Sequence, residues 1–363
     1  MTKPTTPFLL LFLALLGLML AACRPASPTA VSPPAVPDPT TSATTASAPT
    51  EPASTEVAAQ PTSLPPASAT PPPTAEPSAT ATATVLPWPT VLPTAVPTAG
   101  PSPTPGPADF VNGIQKGWFV VLPDEAGLVR LREVVQRGLE LGRDPTRFSK
   151  LGDSVTTSEH YLARFDNPDL YELAPYEALQ PTIDFFSDSF SHNGPAQRIV
   201  LATAVVFDPT WADKELCLPN EHMLDCEIRL HNPAVLLIKI GTNDTGTVTF
   251  EENLREIIEY TLAQGIVPVL STKADRFEGG DWNNPITRRL AEEYGVPLWD
   301  FDFVANSLYE RGMAEDGIHL SMSNANVYRD PIVLTRGYPV SDLTGLMVLD
   351  AVRRDIIEPV LVR

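Results

Sequence analysis

The chain has 363 residues, 40 of them proline, and a formal net charge of −19 at pH 7. Residues 1–107 hold two basic and four acidic residues, so about −17 of that charge belongs to residues 108–363. A surface that acidic argues against nucleic acid or an anionic membrane as a partner, because like charge repels at long range.

The first segment has the pattern of a targeting signal. Lys3 supplies a short positive start, and residues 8–20 form an apolar run, too short to span a bilayer comfortably but suited to a signal core. Leu20-Ala21-Ala22-Cys23 follows at once and resembles a bacterial lipobox. This predicts a lipoprotein signal over 1–22 and lipidation of Cys23, hence an extracytoplasmic, membrane-anchored protein whose only membrane contact is that lipid. An ordinary secretory signal that contains a cysteine is the alternative.

Residues 23–107 are rich in Pro, Thr, Ala and Ser, and hold 23 of the 40 prolines. Such a composition cannot build a core, so the segment is expected to be a disordered or extended linker. As polyproline II its ~84 residues would reach ~260 Å at ~3.1 Å each, which suits a tether.

Residues 108–363 are the right length for one domain. Residues 125–142 have apolar positions at helical spacing and end in Gly142. Residues 147–151 suggest a short strand running into Gly152-Asp153-Ser154. Residues 167–191 are broken by prolines, and 195–206 read as helical or mixed. Beyond them lie Cys217 and Cys226, the cysteines left once Cys23 is set aside; in an oxidising compartment they are expected to pair, with two free thiols as the alternative. Their spacing, with only His222 nearby, lacks the pattern of a zinc site.

The pattern then sharpens. Residues 234–240 (AVLLIKI), 266–271 and 296–301 are buried-strand runs. Residues 250–264 and 285–294 are helices closed by Gly265 and Gly295, and 341–360 is a final helix with Ser341 as a plausible N-cap. Strands alternating with helices imply a parallel sheet covered on both faces, with sites beyond the carboxyl ends of its strands.

Three strings carry candidate chemistry. Ser154 follows Gly-Asp at a strand end, Gly241-Thr242-Asn243-Asp244 follows another strand, and Asp316-Gly317-Ile318-His319 lies near the C-terminus. A hydroxyl, an amide donor, a carboxylate and an imidazole are the parts of a serine esterase. The three-residue spacing of Asp316 and His319 puts both side chains on one side of a turn. His160 is a candidate for the edge of the site; His192, His222 and His231 have no partner pattern. Asp275, Glu278 and Asp281 form an acidic loop whose spacing does not fit an EF-hand. Trp282, Tyr294 and Trp299 are either core aromatics or a sugar-stacking surface.

These residues resemble the SGNH (GDSL-type) hydrolase family over most of 145–363. The resemblance implies a flavodoxin-like α/β/α sandwich with about five parallel strands, and acyl-ester hydrolysis or transfer through an acyl-serine. It assigns Ser154 as nucleophile, His319 as base, Asp316 as its orienter, and Asn243 with the Ser154 N–H to the oxyanion hole. The family's second block supplies a glycine N–H to that hole. Here Gly194 is the only glycine in reach of that block, and a residue within 198–204 is the alternative donor. The G-x-S-x-G elbow of α/β-hydrolases is absent. The reading is therefore a monomeric serine ester hydrolase acting on a small-molecule or glycan acyl ester, with no cofactor and no metal. The alternative is a weak or inactive module that binds a surface glycan or lipid.

Overall fold

Strands whose residues are buried on both faces require cover on both sides, and the chain supplies it. The computed structural model describes residues 106–362. The signal over 1–22, Cys23 and nearly all of the linker lie outside the described residues. Among the described residues, no helix is long and apolar enough to cross a membrane.

The central sheet has five strands: β1 (Val120–Val121), β2 (Asp144–Gly152), β3 (Pro233–Lys239), β4 (Val267–Ser271) and β5 (Leu298–Trp299). Their order is β1-β5-β4-β3-β2. Strands β2 to β5 are parallel, while β1 pairs antiparallel with β5. The expected fifth parallel strand is thus replaced in two ways. An antiparallel edge strand closes one side, and on the other side a single parallel bridge, Gly152 to Gln197, lies beyond β2. Residues 195–206, read from sequence as helical or mixed, provide that bridge, then turns and a 3-10 turn at Thr203–Val205.

Five principal helices cover the sheet: α1 (Glu125–Glu140), α2 (Met223–His231), α3 (Thr247–Ala263), α4 (Asn283–Tyr294) and α5 (Gly337–Val352). Asp124 caps α1 by accepting the Gly127 N–H at 2.8 Å. His222 caps α2 through Nδ1, which accepts the Asp225 N–H. The Cys217–Cys226 disulfide ties the preceding loop to α2. Helix α3 is joined to α4 by the Arg255–Glu293 and Arg289–Glu251 ion pairs.

Every residue of α5 is buried. The sequence suggests a start at Ser341, but the helix begins a turn earlier, at Gly337, and Ser341 is an interior residue whose hydroxyl finds no partner. The reason is tertiary: Gly337 and Tyr338 donate to Ser321 Oγ and O at 2.9 Å, which satisfies the helix N-terminus without a side-chain cap of its own. Strand β5 is also shorter than its apolar run, because Asp300 caps the short helix Phe301–Ala305 that follows. Other polar groups of α5 are paired: Asp342 accepts from the Leu162 N–H at 2.8 Å and from Asn326 at 2.9 Å, and Thr344 accepts from Trp299 Nε1.

Helix α1 reaches the sheet through a glycine contact. A Cβ on Gly138 would sit 2.3 Å from the carbonyl oxygen of Gly265, which itself has φ +73° in the turn between α3 and β4. Backbone atoms cannot swing aside as a side chain can. Gly138→Ala is therefore expected to destabilise the domain by about 1–3 kcal/mol despite alanine's better helix propensity, read as a lower thermal midpoint.

Candidate active site

Parallel pairing of β2 with β3 ends at Gly152 opposite Lys239. The contact is tight: a Cβ on Gly152 would lie 2.3 Å from the Lys239 carbonyl oxygen. The two chains leave the sheet side by side, so Ser154 and Asn243 emerge at the same edge. After β2 the backbone turns at once, with the Thr156 and Thr157 N–H groups donating to the Asp153 carbonyl. This leaves Ser154 at the head of a tight turn. Among the described residues, nothing accepts its N–H.

His319 comes from a loop far along the chain. Residues 314–319 form a tight turn in which Ala314 donates to the His319 carbonyl at 2.7 Å and Gly317 takes φ +67°. Asp316 Oδ1 accepts the N–H groups of Ile318 and His319, both at 2.9 Å. Its Oδ2 lies 2.7 Å from His319 Nδ1. The loop is fastened to the domain through Ser321, which donates to the Gly312 carbonyl while its own oxygens hold the start of α5.

His319 Nε2 lies 2.9 Å from Ser154 Oγ, across 165 residues of sequence. Ser154, His319 and Asp316 thus form one continuous hydrogen-bonded line. The bond from His319, then those from the two backbone N–H groups, hold the Asp316 carboxyl down to about 2. An ionised Asp316 keeps the imidazole proton on Nδ1 and leaves Nε2 to accept from the serine hydroxyl. The line is open to solvent: the side chains of His319 and Asp316 are 41% and 47% exposed.

Asn243 sits in a loop that needs glycine at its entry. Gly241 has φ +126°, and Asn283 Nδ2 donates to its carbonyl. One hydrogen of the Asn243 amide goes to the Leu201 carbonyl at 3.1 Å, which leaves the second available. The next residue, Asp244, accepts from the Thr203 N–H and hydroxyl, and burial pushes its carboxyl above the usual range. The segment 198–203 is therefore held between the end of β2 and the loop after β3. Arg198 donates to the Gly152 carbonyl on one side, and Asn243 and Asp244 hold Leu201 and Thr203 on the other.

Within that segment, Leu201 N–H closes a turn onto the Arg198 carbonyl, and Val200 takes φ +65°. A β-branched residue in the left-handed region is a backbone outlier, costing about 1–3 kcal/mol. Among the described residues, nothing accepts the Val200 N–H. Val200 lies in the window 198–204 expected to hold an alternative donor, but nothing local in the sequence singles it out, because positive φ is the habit of glycine.

Gly194 is placed otherwise than its candidacy for the oxyanion hole requires. Its N–H donates to Gln197 Oε1, and its α-carbon packs against Glu227 and His192, so it offers no free donor. His160 accepts from Arg164 at 2.8 Å through Nδ1 and is not joined to the Ser154 line. His192 and His231 stack on each other, with His192 bonded to Glu227 and His231 to the Phe148 carbonyl. In the acidic loop, Asp275 and Glu278 pair with Lys273, and Asp281 with Arg276. Trp299 is wholly buried, Trp282 packs edge-on against Phe250, and Tyr294 bonds Glu259.

No family model matches the chain, and no curated protein does. Among solved structures, the chain is similar to a protein assigned to the lipolytic G-D-S-L family from Desulfitobacterium hafniense, at 14% identity and TM-score 0.36 over 56% of this chain and 99% of that one. It is similar to a psychrotrophic esterase from Pseudoalteromonas sp., at 14% identity and TM-score 0.37 over 56% and 97%. It is also similar to a two-domain esterase active on acetylated mannans, at 16% identity and TM-score 0.37 over 62% of this chain and 55% of that one.

Proposed function

We propose that the chain is a serine ester hydrolase that works through an acyl-serine intermediate. The observation that carries this reading is the line Ser154 Oγ–His319 Nε2, 2.9 Å, and His319 Nδ1–Asp316 Oδ2, 2.7 Å. Ser154 Oγ attacks the ester carbonyl as His319 Nε2 takes its proton. The carbonyl oxygen becomes an oxyanion facing the Ser154 N–H and the free hydrogen of Asn243, with a backbone N–H of segment 198–204, Val200 foremost, as the further donor. His319 then returns the proton to the leaving alcohol, and the acyl group remains on Ser154. Water, activated by the same nitrogen, releases the acid; an alcohol in its place would make the step an acyl transfer.

The exposure of the triad supports a substrate with a bulky alcohol part, such as an acylated glycan, because such a group can approach from solvent without entering a deep cavity. The signal over 1–22, a lipidated Cys23 and the Pro-rich tether would hold this domain outside the cytoplasm at a membrane. Loss of a membrane-bound form on Cys23→Ser would test that arrangement.

A fluorophosphonate probe is expected to label the wild-type chain and to leave Ser154→Ala unlabelled; a folded wild type that does not label would point instead to a binding module. Asp316→Asn leaves the imidazole without its ionised partner, so kcat is expected to fall by about 10²–10⁴-fold with the fold intact. Because the Asp316 pKa is depressed, its contribution to stability is present above its unfolded pKa and is lost only as pH falls toward about 2. It therefore stays ionised across any practical assay range. Val200→Gly relieves about 1–3 kcal/mol of backbone strain and loses about 1 kcal/mol to unfolded-chain entropy. Its thermal midpoint is expected to hold or rise, with the N–H donor and the esterase rate retained.

A further inference from the structure

Directly behind the nucleophile lies a set of buried charges that the reaction as written does not use. Asp153, between Gly152 and Ser154, is buried, and its Oδ1 accepts the Val155 N–H at 3.1 Å. Lys239 ends β3, two residues before Gly241, and is also buried. Its ammonium donates to the Thr272 carbonyl at 3.0 Å and to Ser271 Oγ at 3.4 Å, over the rings of Phe301 and Trp299 at 4.5 Å and 5.1 Å. An ammonium has three donors, and a buried carboxylate has more acceptor sites than one N–H fills. Burying either charge without a partner is strongly unfavourable.

Asp153 and Lys239 line one small cavity of about 10 Å³, together with Thr242, Lys273 and Asp275; Ile318, beside His319, is among its apolar walls. That is about the room one water needs, and the walls offer it polar partners. The other charges there are already matched. Lys273 Nζ holds Asp275 Oδ1 at 2.7 Å and also Glu278, and Asp275 Oδ2 accepts from Thr242 at 3.1 Å. Thr242 precedes Asn243, so the cavity wall joins the backs of both active-site turns.

We propose that Asp153 and Lys239 are positioning residues for the reaction at Ser154: a buried carboxylate–ammonium pair, bridged by one water, that locks the turn carrying Ser154 to the turn carrying Asn243. The proposal rests on the esterase reading above. Its logic is geometric. The serine oxygen must meet the carbonyl carbon while the Asn243 amide meets the carbonyl oxygen, so a slip of one turn against the other by ~1 Å can cost about 10²-fold in rate. Hydrogen bonds from the Gly152 and Lys239 backbones fix the strands, but the two turns lie beyond the last ladder pair.

The pair has a pH range. Burial pushes Asp153 up to about 6 and Lys239 down to about 8. The groups facing Asp153 are Lys239 from β3, Thr242 from the loop after it, Asp275 from the loop after β4, and the phenols of Tyr161 and Tyr338; Lys273 lies across the cavity. Asp275 opposes ionisation of Asp153, while Thr242 and Lys239 favour it. Lys239 faces Asp275 first, then Asp153, Lys273 and Asp302, so below about pH 6 Asp153 takes up a proton and Lys239 loses one of its counter-charges. The sign for stability is opposite. With a raised folded pKa, the stability contributed by Asp153 is fully present below its unfolded pKa and is lost as pH rises through about 6. Removing the charge should therefore help folding at neutral pH while it harms turnover.

The test uses fluorophosphonate labelling and p-nitrophenyl acetate hydrolysis from pH 4.5 to 9, on the wild type, Asp153→Asn, Lys239→Met and the double variant. Asp153→Asn is expected to keep or raise the thermal midpoint at pH 7, to lower kcat by about 10–10²-fold with KM within ~3-fold, and to make the acid limb of the rate profile shallower by one proton. Lys239→Met alone should lower the midpoint, because it strands a buried carboxylate; the double variant should recover the midpoint but not kcat. An Asp153→Asn protein with kcat within ~2-fold of wild type and an unchanged acid limb would overturn the proposal, as would a double variant with wild-type kcat. A folded wild type that neither labels nor turns over would overturn the esterase reading itself, and the proposal with it; labelled wild type with unaffected variants would overturn the proposal alone.

Discussion

The register of β2 against β3 is the constraint on which the site depends. Gly152 pairs opposite Lys239 with no space for a side chain between them. Because the strands are parallel, both exits point the same way, and Ser154 and Asn243 must share an edge. A side chain at Gly152 would push the strands apart at the level where the hydroxyl and the amide need to converge. Buried strands of this kind are strongly specified in register, since a one-residue slip would turn every apolar side chain to the wrong face.

The histidine reaches that edge by a different route. Its local geometry is built from its own loop, through the Asp316 carboxylate and Gly317 in the left-handed region. Its place is set by α5, which is bonded through Gly337 and Tyr338 to Ser321, two residues after His319. The parallel pairing of Tyr171–Glu172 with Asn326–Val327 and the Arg164 bonds to Asn326 and Ser323 tie the same stretch to the segment that follows Ser154. The base is therefore locally shaped and remotely anchored. A chemical group drawn from two distant parts of the chain can be held to hydrogen-bond precision in this way without a rigid backbone between them.

How much of this was legible follows from which forces were local. Continuous apolar runs marked β3 and β4, because burial on both faces leaves no polar period. Gly142, Gly265 and Gly295 marked helix ends, because only glycine takes the left-handed cap cheaply. The Asp316–His319 spacing was readable because a turn fixes it within four residues. Four features were misread or passed over. Ser341 has the composition of a cap but lies inside α5, where Ser321 supplies the capping groups. Gly194 had the right residue type, yet its N–H is spent on Gln197. Val200 takes the backbone conformation expected of a glycine, at a cost in strain that only surrounding bonds can sustain. Lys239 stood in plain view as the one charge in AVLLIKI, and that charge in an all-buried strand was the available signal for a buried ionic site.

The sequence by itself determined the layering of the domain, the positions of its main strands and helices, and the residue types that could meet at the strand ends, because hydrophobic period, glycine punctuation and short polar spacings act over a few residues. Only the tertiary structure decided which groups meet and which donors are free. Hydrogen-bond occupancy, left-handed strain at Val200 and the burial of Asp153 and Lys239 on the walls of one cavity depend on distances between segments far apart along the chain, and no local pattern encodes them.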